Sequence, residues 1–323
     1  VFILSFFIGP IGVYFLVKEW WGKLPALIAA TAFSYIPYRA VDVFVRGNLG
    51  EFFSFSLFPL VFFVNWKFLT AQQDDQKKWG IVFCLFLFFQ EISHNISCFI
   101  FFFFLLVFNL FYLGFLVKER EECSKKMIYL SAILILSLFM SAFYFIPLLY
   151  ETKFVLVGQF RDSPYREYFL TVKKLWDFPW GWGGYTDVGN AVSLQLGKTA
   201  VVISLFTVAL NTFIKTNQRK LINFFILCAV LFIFMELNIS DFIWSRVTIL
   251  HFFQFPWRLH VLVTLFLPIL CGGFLYLFQQ KVKKPVLTVG LGTVILFLFI
   301  VENVGFFKPR IYWNAPSVSE TTT

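Results

Sequence analysis

Apolar residues fill this chain in long unbroken runs, separated by short polar or basic connections. The runs lack the alternation of a half-buried strand, so they read as helices. Ten of them stand out: Val1–Val17, Leu24–Tyr38, Phe52–Leu69, Trp79–Gln90, Ile96–Val117, Met127–Tyr150, Thr199–Ile214, Leu221–Leu237, Leu259–Phe278 and Pro285–Val301. A bilayer-crossing helix needs about 20 apolar residues, and a backbone in lipid must close its hydrogen bonds within its own segment. The expected fold class is therefore all-α, a polytopic integral membrane helix bundle of about ten transmembrane helices. The run from Trp79 to Val117 must be broken, because as one helix it would be ~58 Å long, about twice the hydrocarbon thickness. Its only polar interruption is QEISHNIS, residues 90–97, and the break belongs there.

Composition agrees with this pattern. The 323 residues are 59% hydrophobic and 14% charged, against about half apolar and a quarter charged in a soluble domain. The mean hydropathy is +0.78. The expectation is one integral membrane domain over 1–323, with an outer-face loop at 151–198 and a tail at 302–323. Residues 151–198 mix aromatics, Gly and charges without a full span, which predicts short interfacial helices there. The chain opens at Val1 inside an apolar run, without an initiating Met, and reads as a fragment lacking its N-terminal part. Cys84, Cys98, Cys228 and Cys271 lie in apolar runs and Cys123 in a charged connection, with no metal-ligand spacing or disulfide framework.

Charge changes the picture through its distribution. If every run crosses, the connections VKEWWGK, NWKFLTAQQDDQKKW, KEREECSKK, KTNQRK and KVKK share one side and hold fifteen Lys and Arg. By the positive-inside rule that side is cytoplasmic. The other side collects all three His and seven of the nine Arg: Arg39, Arg46, Arg161, Arg166, Arg246, Arg258 and Arg310. Orientation is served by Lys, whereas Arg offers a planar fork that grips phosphate or carboxylate at two points. Division of the basic residues between two sides argues against nucleic acid as a partner.

Four stretches carry candidate chemistry. In YRAVDVFVRGNLGEFF, Arg46 and Glu51 flank two glycines at the membrane boundary, with Asp42 one turn earlier. Glu51 falls in the first turn of the next helix, where the macrodipole favours a carboxylate. Arg46 reads both as an ion-pair partner of Glu51 and as a ligand for a lipid phosphate. In QEISHNIS, continued helix would put Glu91, His94 and Asn95 on one face, at i, i+3 and i+4. Such a face could line a polar cavity or offer two ligands to a divalent metal; a cluster that satisfies the helix break is an equal alternative. In HFFQFPWRLHV, Pro256 suits a first helical turn, Trp257 an interface anchor, and Arg258 either snorkels to headgroups or joins Arg46, with Gln254 beside them. In the outer loop, Asp162, Glu167, Asp177 and Asp187 are possible acid–base groups with no spacing that selects one. No Walker loop, Rossmann fingerprint or triad pattern is present.

Taken in order, PYRAVDVFVRGNLGEFFSFSLFPLVFF, SHNIS, SAFYFIPLLYETKFV and FQFPWRLHVL resemble landmarks of the bacterial 6-pyruvoyl-tetrahydropterin synthase-related membrane protein family. The family name implies no pterin chemistry here. That family is similar in architecture to the GT-C class of polytopic glycosyltransferases. The resemblance implies transfer of a sugar from a polyprenyl-phosphate donor to a glycan or lipid acceptor, at the outer face of the bacterial cytoplasmic membrane, in cell-envelope assembly. It also implies a catalytic Asp in a first outer loop upstream of Val1, so no catalytic residue is assigned. The expected roles are Arg46, Arg258 and Glu51 at the lipid phosphate, and Asp42, Glu91, His94, Asn95 and Gln254 lining the cavity. The alternatives are a transporter or flippase of lipid-linked saccharides, or a non-catalytic envelope scaffold. Charge is scarce in mid-span and polarity gathers at one face, which suits a one-sided site better than alternating access.

Overall fold

The computed structural model describes residues 2–154, 165–178 and 192–308. Its α-helices are, in order, α1 (Phe2–Trp21), α2 (Lys23–Tyr35), α3 (Pro37–Ala40), α4 (Leu49–Thr70), α5 (Gln73–Glu91), α6 (Asn95–Phe115) and α7 (Arg120–Met140). There follow α8 (Ala142–Glu151), α9 (Val172–Trp176), α10 (Lys198–Phe213), α11 (Arg219–Glu236), α12 (Asp241–Trp244), α13 (His260–Lys281) and α14 (Pro285–Asn303). Among the described residues extended pairing is limited to one isolated bridge between Leu170 and Leu237.

Each of the ten apolar runs is helical over most of its length, and two are subdivided: Leu24–Tyr38 breaks at the extended Ile36, where α2 gives way to α3. The run expected over Met127–Tyr150 ends a first helix at Ser141, whose N–H reaches the Ser137 carbonyl at 2.9 Å, and restarts as α8. Six helices are long and apolar enough to cross a membrane: α1, α4, α6, α7, α13 with its preceding turn, and α14 with its following turn. The other four fall short for two reasons. At 1.5 Å per residue, α2 and α10 rise only about 20 and 24 Å, below the ~30 Å hydrocarbon core. The ends of α5 (Asp74, Asp75, Lys77, Lys78, Glu91) and α11 (Arg219, Lys220, Glu236) are charged.

Burial grades the helices. The window of α13 is 83% buried and that of α7 or α14 only 22%, so α13 is the central post and α7 and α14 face outward. Phenylalanine fills the interior: Phe58 stacks on Phe101 at 3.7 Å, Phe62 meets Phe108 at 4.5 Å, and Phe111 meets Phe224 at 4.4 Å. Small residues let the backbones approach. A Cβ on Gly12 would lie 2.5 Å from the Leu60 nitrogen of α4, and one on Gly272 2.8 Å from the Pro25 carbonyl of α2. Such close crossings are the usual packing device where lipid supplies no hydrophobic force between helices.

The two ends of the bundle differ. At one end Lys67 pairs with Glu19 at 3.4 Å, the Tyr112 hydroxyl and the Lys126 ammonium both donate to the Leu69 carbonyl, and Lys220 donates to the Phe115 carbonyl. These bonds tie together the basic ends of α1, α4, α6, α7 and α11. At the opposite end the Glu302 carboxylate accepts the first N–H groups of α10 at 2.7 and 2.9 Å, and Leu170 N–H donates to the Glu236 carbonyl at 2.8 Å. Of the outer loop, turns at Thr152–Phe154 and Tyr165–Tyr168 and helix α9 are described; Leu170 and Leu175 are buried. Arg161, Asp162, Asp187 and Arg310 lie outside the described residues.

Candidate functional site

The chain between α2 and α4 turns sharply at the end opposite the lysines. Ile36 leaves α2 in an extended conformation, Pro37 starts α3, and Val41–Val45 continue as a single π-helical turn. Such turns widen the helix and recur at functional sites. Gly47, at φ 61°, then reverses the chain into α4, a conformation that carries no steric penalty for glycine. Asn48 caps α4 by accepting the Glu51 N–H at 3.2 Å.

This turn concentrates five side chains. Arg46 grips Glu51 with both terminal nitrogens, at 2.7 and 2.9 Å, and reaches Asp42 at 2.7 Å and the Tyr38 hydroxyl at 3.0 Å. Tyr38 in turn donates to Glu51 at 2.6 Å, and the Asn48 amide donates to Glu51 at 3.0 Å. The Glu51 carboxylate thus accepts four hydrogen bonds. The indole of Trp257 covers the guanidinium of Arg46 at 4.7 Å. Burial raises the Asp42 carboxyl above its usual range, and the nearby Glu51 charge adds to this against Arg46. Burial pulls Arg46 down, yet Tyr38 and the carboxylates outweigh it and hold Arg46 above its ordinary value.

Arg258 comes to this hub from the turn Pro256–Leu259. It lies over the Phe255 ring at 5.4 Å and within electrostatic reach of Glu51, Arg46, Tyr38 and Asp42. Its buried Nε and Nη1 have no hydrogen-bond partner among the described residues. Phe255 stacks in parallel on Trp257 at 5.4 Å, so one short segment links both arginines. Gln254 occupies the corner before it with φ 65°, a conformation uncommon for a residue with a side chain.

His94 arrives from α6. It caps that helix through Nδ1, which accepts the Ser97 N–H at 3.3 Å. Its ring lies 3.6 Å from the place a Cβ on Gly50 would occupy and within the field of Glu51, Arg258 and Arg46. The helix does not continue through this stretch, so the expected shared face of Glu91, His94 and Asn95 does not form. Glu91 ends α5, is buried, and accepts from Ser137 at 2.9 Å and Ser141 at 2.7 Å, both on α7 or its cap. Asn95 folds back on the Ile96 N–H. Among the described residues no three His, Cys, Asp or Glu side chains come together as metal ligands.

Two features went unread in the sequence. His260 and Glu236 form a fully buried pair at 2.9 Å beneath the hub, and the His260 ring packs on Tyr38 at 5.1 Å. The signal was a Glu closing α11 and a His opening α13. Arg39 points inward instead of to the outer face. It is fully buried, lies within 4.8 and 4.9 Å of the Phe33 and Phe52 rings, and bonds Ser56 and the Ser5 carbonyl. Of the loop acids, Asp177 pairs with Lys198 at 2.7 Å and Glu167 is exposed. No protein-family model, curated protein or solved structure matches the chain.

Proposed function

We propose that this is a GT-C-like membrane protein of about ten spans, a glycosyltransferase in which the hub between α2 and α4 receives the phosphate of a polyprenyl-phosphate-linked sugar. The basic end faces the cytoplasm of a bacterial cell and the hub opens to the outer side of the cytoplasmic membrane. The partners are the bilayer, the lipid-linked donor, and a glycan or lipid acceptor of the cell envelope.

One observation carries the reading: two buried nitrogens of Arg258, Nε and Nη1, have no hydrogen-bond partner among the described residues, beside a hub where Asp42 and Glu51 match Arg46. A buried guanidinium left unpaired is unfavourable, and an anion with several oxygens relieves it. Arg46 then acts as a buttress, because Glu51, Asp42 and Tyr38 already occupy its fork. Its charge shapes the potential at Arg258 and its indole cover fixes the FPWR segment.

The test is sugar transfer in nanodiscs from a panel of polyprenyl-phosphate sugars. Arg258→Gln should lose transfer by tenfold or more with protein abundance unchanged, as expected for one charged hydrogen bond to phosphate. Transfer at the normal rate by Arg258→Gln would overturn the phosphate role. Movement of the intact lipid-linked saccharide across the bilayer, without transfer, would replace the transferase reading with the flippase one.

A further inference from the structure

Glu51 is saturated by Tyr38, Arg46 and Asn48; one oxygen of Asp42 takes Arg46, and its Oδ2 has no partner among the described residues. Among the same residues Arg258 leaves two donors, Nε and Nη1, unused. His94 supplies another donor, for a reason set by its own helix. Nδ1 accepts the Ser97 N–H at 3.3 Å, which assigns it as the nitrogen without a proton, and the Ser97 hydroxyl 2.8 Å away then donates to it. In a neutral imidazole the proton is then on Nε2. A second proton, on Nδ1, would set N–H against N–H and undo the cap of α6. Burial also holds the ring below its ordinary value; Arg258 and Arg46 act in the same direction and Glu51 against it.

We propose that His94 is a neutral hydrogen-bond donor that shares with Arg258 the oxygens of a phosphoryl group. A tetrahedral, acceptor-only group suits one planar fork and one N–H arriving from another helix. The inference rests on the reading of this face as the phosphate end of a donor site and narrows it: Arg46 holds the protein, and His94 holds the ligand. It assigns His94 neither a metal nor a base.

Two substitutions separate capping from donation. In His94→Asn the side-chain oxygen replaces Nδ1, keeping the cap and removing the donor. In His94→Gln the amide nitrogen replaces Nε2, keeping the donor and losing the cap. The protein in nanodiscs is titrated with an isoprenyl monophosphate in the bilayer and, separately, with inorganic phosphate in the buffer. His94→Asn should lose affinity about tenfold or more, the effect of one hydrogen bond to a charged acceptor. His94→Gln should bind near wild type with a lower Tm. Nitrogen NMR of histidine-labelled wild type should place the proton on Nε2, a readout that needs no variant to fold. A proton on Nδ1, wild-type affinity in His94→Asn, or affinity that merely tracks Tm in both variants overturns the inference. His94-dependent binding of inorganic phosphate alone supports it while removing the lipid-linked source. Dependence on His94 without any sugar transfer likewise leaves it standing and removes the transferase reading.

Discussion

Replacing Glu51 by Gln tests the hub directly. The wild-type carboxylate accepts Tyr38 and Arg46 on one oxygen and Arg46 and Asn48 on the other, at 2.6 to 3.0 Å. An amide of the same shape offers one acceptor and turns an NH2 toward two donors. Two hydrogen bonds to a charged group are lost, each about 1.5–3 kcal/mol, and Arg46 keeps only Asp42 as a counter-ion. Breaking a buried pair by removing one partner costs about 3–5 kcal/mol. Since Asp42 remains and the Arg46 side chain is 12% exposed, the lower end applies, about 3 kcal/mol. The assay is equilibrium unfolding in mixed micelles, with Glu121→Gln as the comparator. Glu121 pairs with Lys125 at 2.6 Å, a shorter contact than most at the hub, but both side chains are solvated. Solvent screening makes that pair worth little, and its loss should not register. If Glu51→Gln and Glu121→Gln unfolded alike, at the wild-type midpoint, water would be screening the hub and the accounting behind Arg258 and His94 would fall with it.

Three further outcomes follow from the same geometry. Gly12→Ala puts a methyl 2.5 Å from the α4 backbone and should destabilise the α1–α4 crossing by at least 1–3 kcal/mol, whereas Gly114→Ala, with open space around it, should be neutral or better by thermal unfolding. Burial holds His94 below 6.5, so the unfolded chain takes up a proton first; its stabilising contribution is complete above that value and is lost as pH falls through the lower folded one. Wild type should therefore soften between pH 7 and pH 5 more than His94→Asn does, and superimposable pH profiles would contradict this. Single cysteines at Gly47 and Trp257 should label from one side of sealed vesicles and cysteines at Lys78 and Lys220 from the other; labelling of Gly47 and Trp257 from opposite sides would refute the common hub.

The amino-acid sequence by itself determined where the helices form and the break at QEISHN, though not the breaks at Ile36 and Ser141 inside apolar runs. In lipid a backbone must satisfy its own hydrogen bonds locally, so a long apolar run is enough to specify a helix, and a polar break such as QEISHN is enough to end one. It also determined that seven of the nine Arg fall outside the five Lys-rich connections, and that Arg46 and Glu51 stand five residues apart on a glycine turn. Side-chain partnership was decided only by the packing of distant helices. Glu91 looks to Ser137 and Ser141, 46 and 50 residues away, instead of to His94; Arg39 turns into a phenyl cage; His260 meets Glu236 across α11 and α13. The same packing spends the fork of Arg46 within the protein and leaves Nε and Nη1 of Arg258 without a partner among the described residues. The reason is one of range: a hydrogen-bonded turn is written within four residues, whereas a buried charge takes whichever counter-ion the neighbouring helix brings to it.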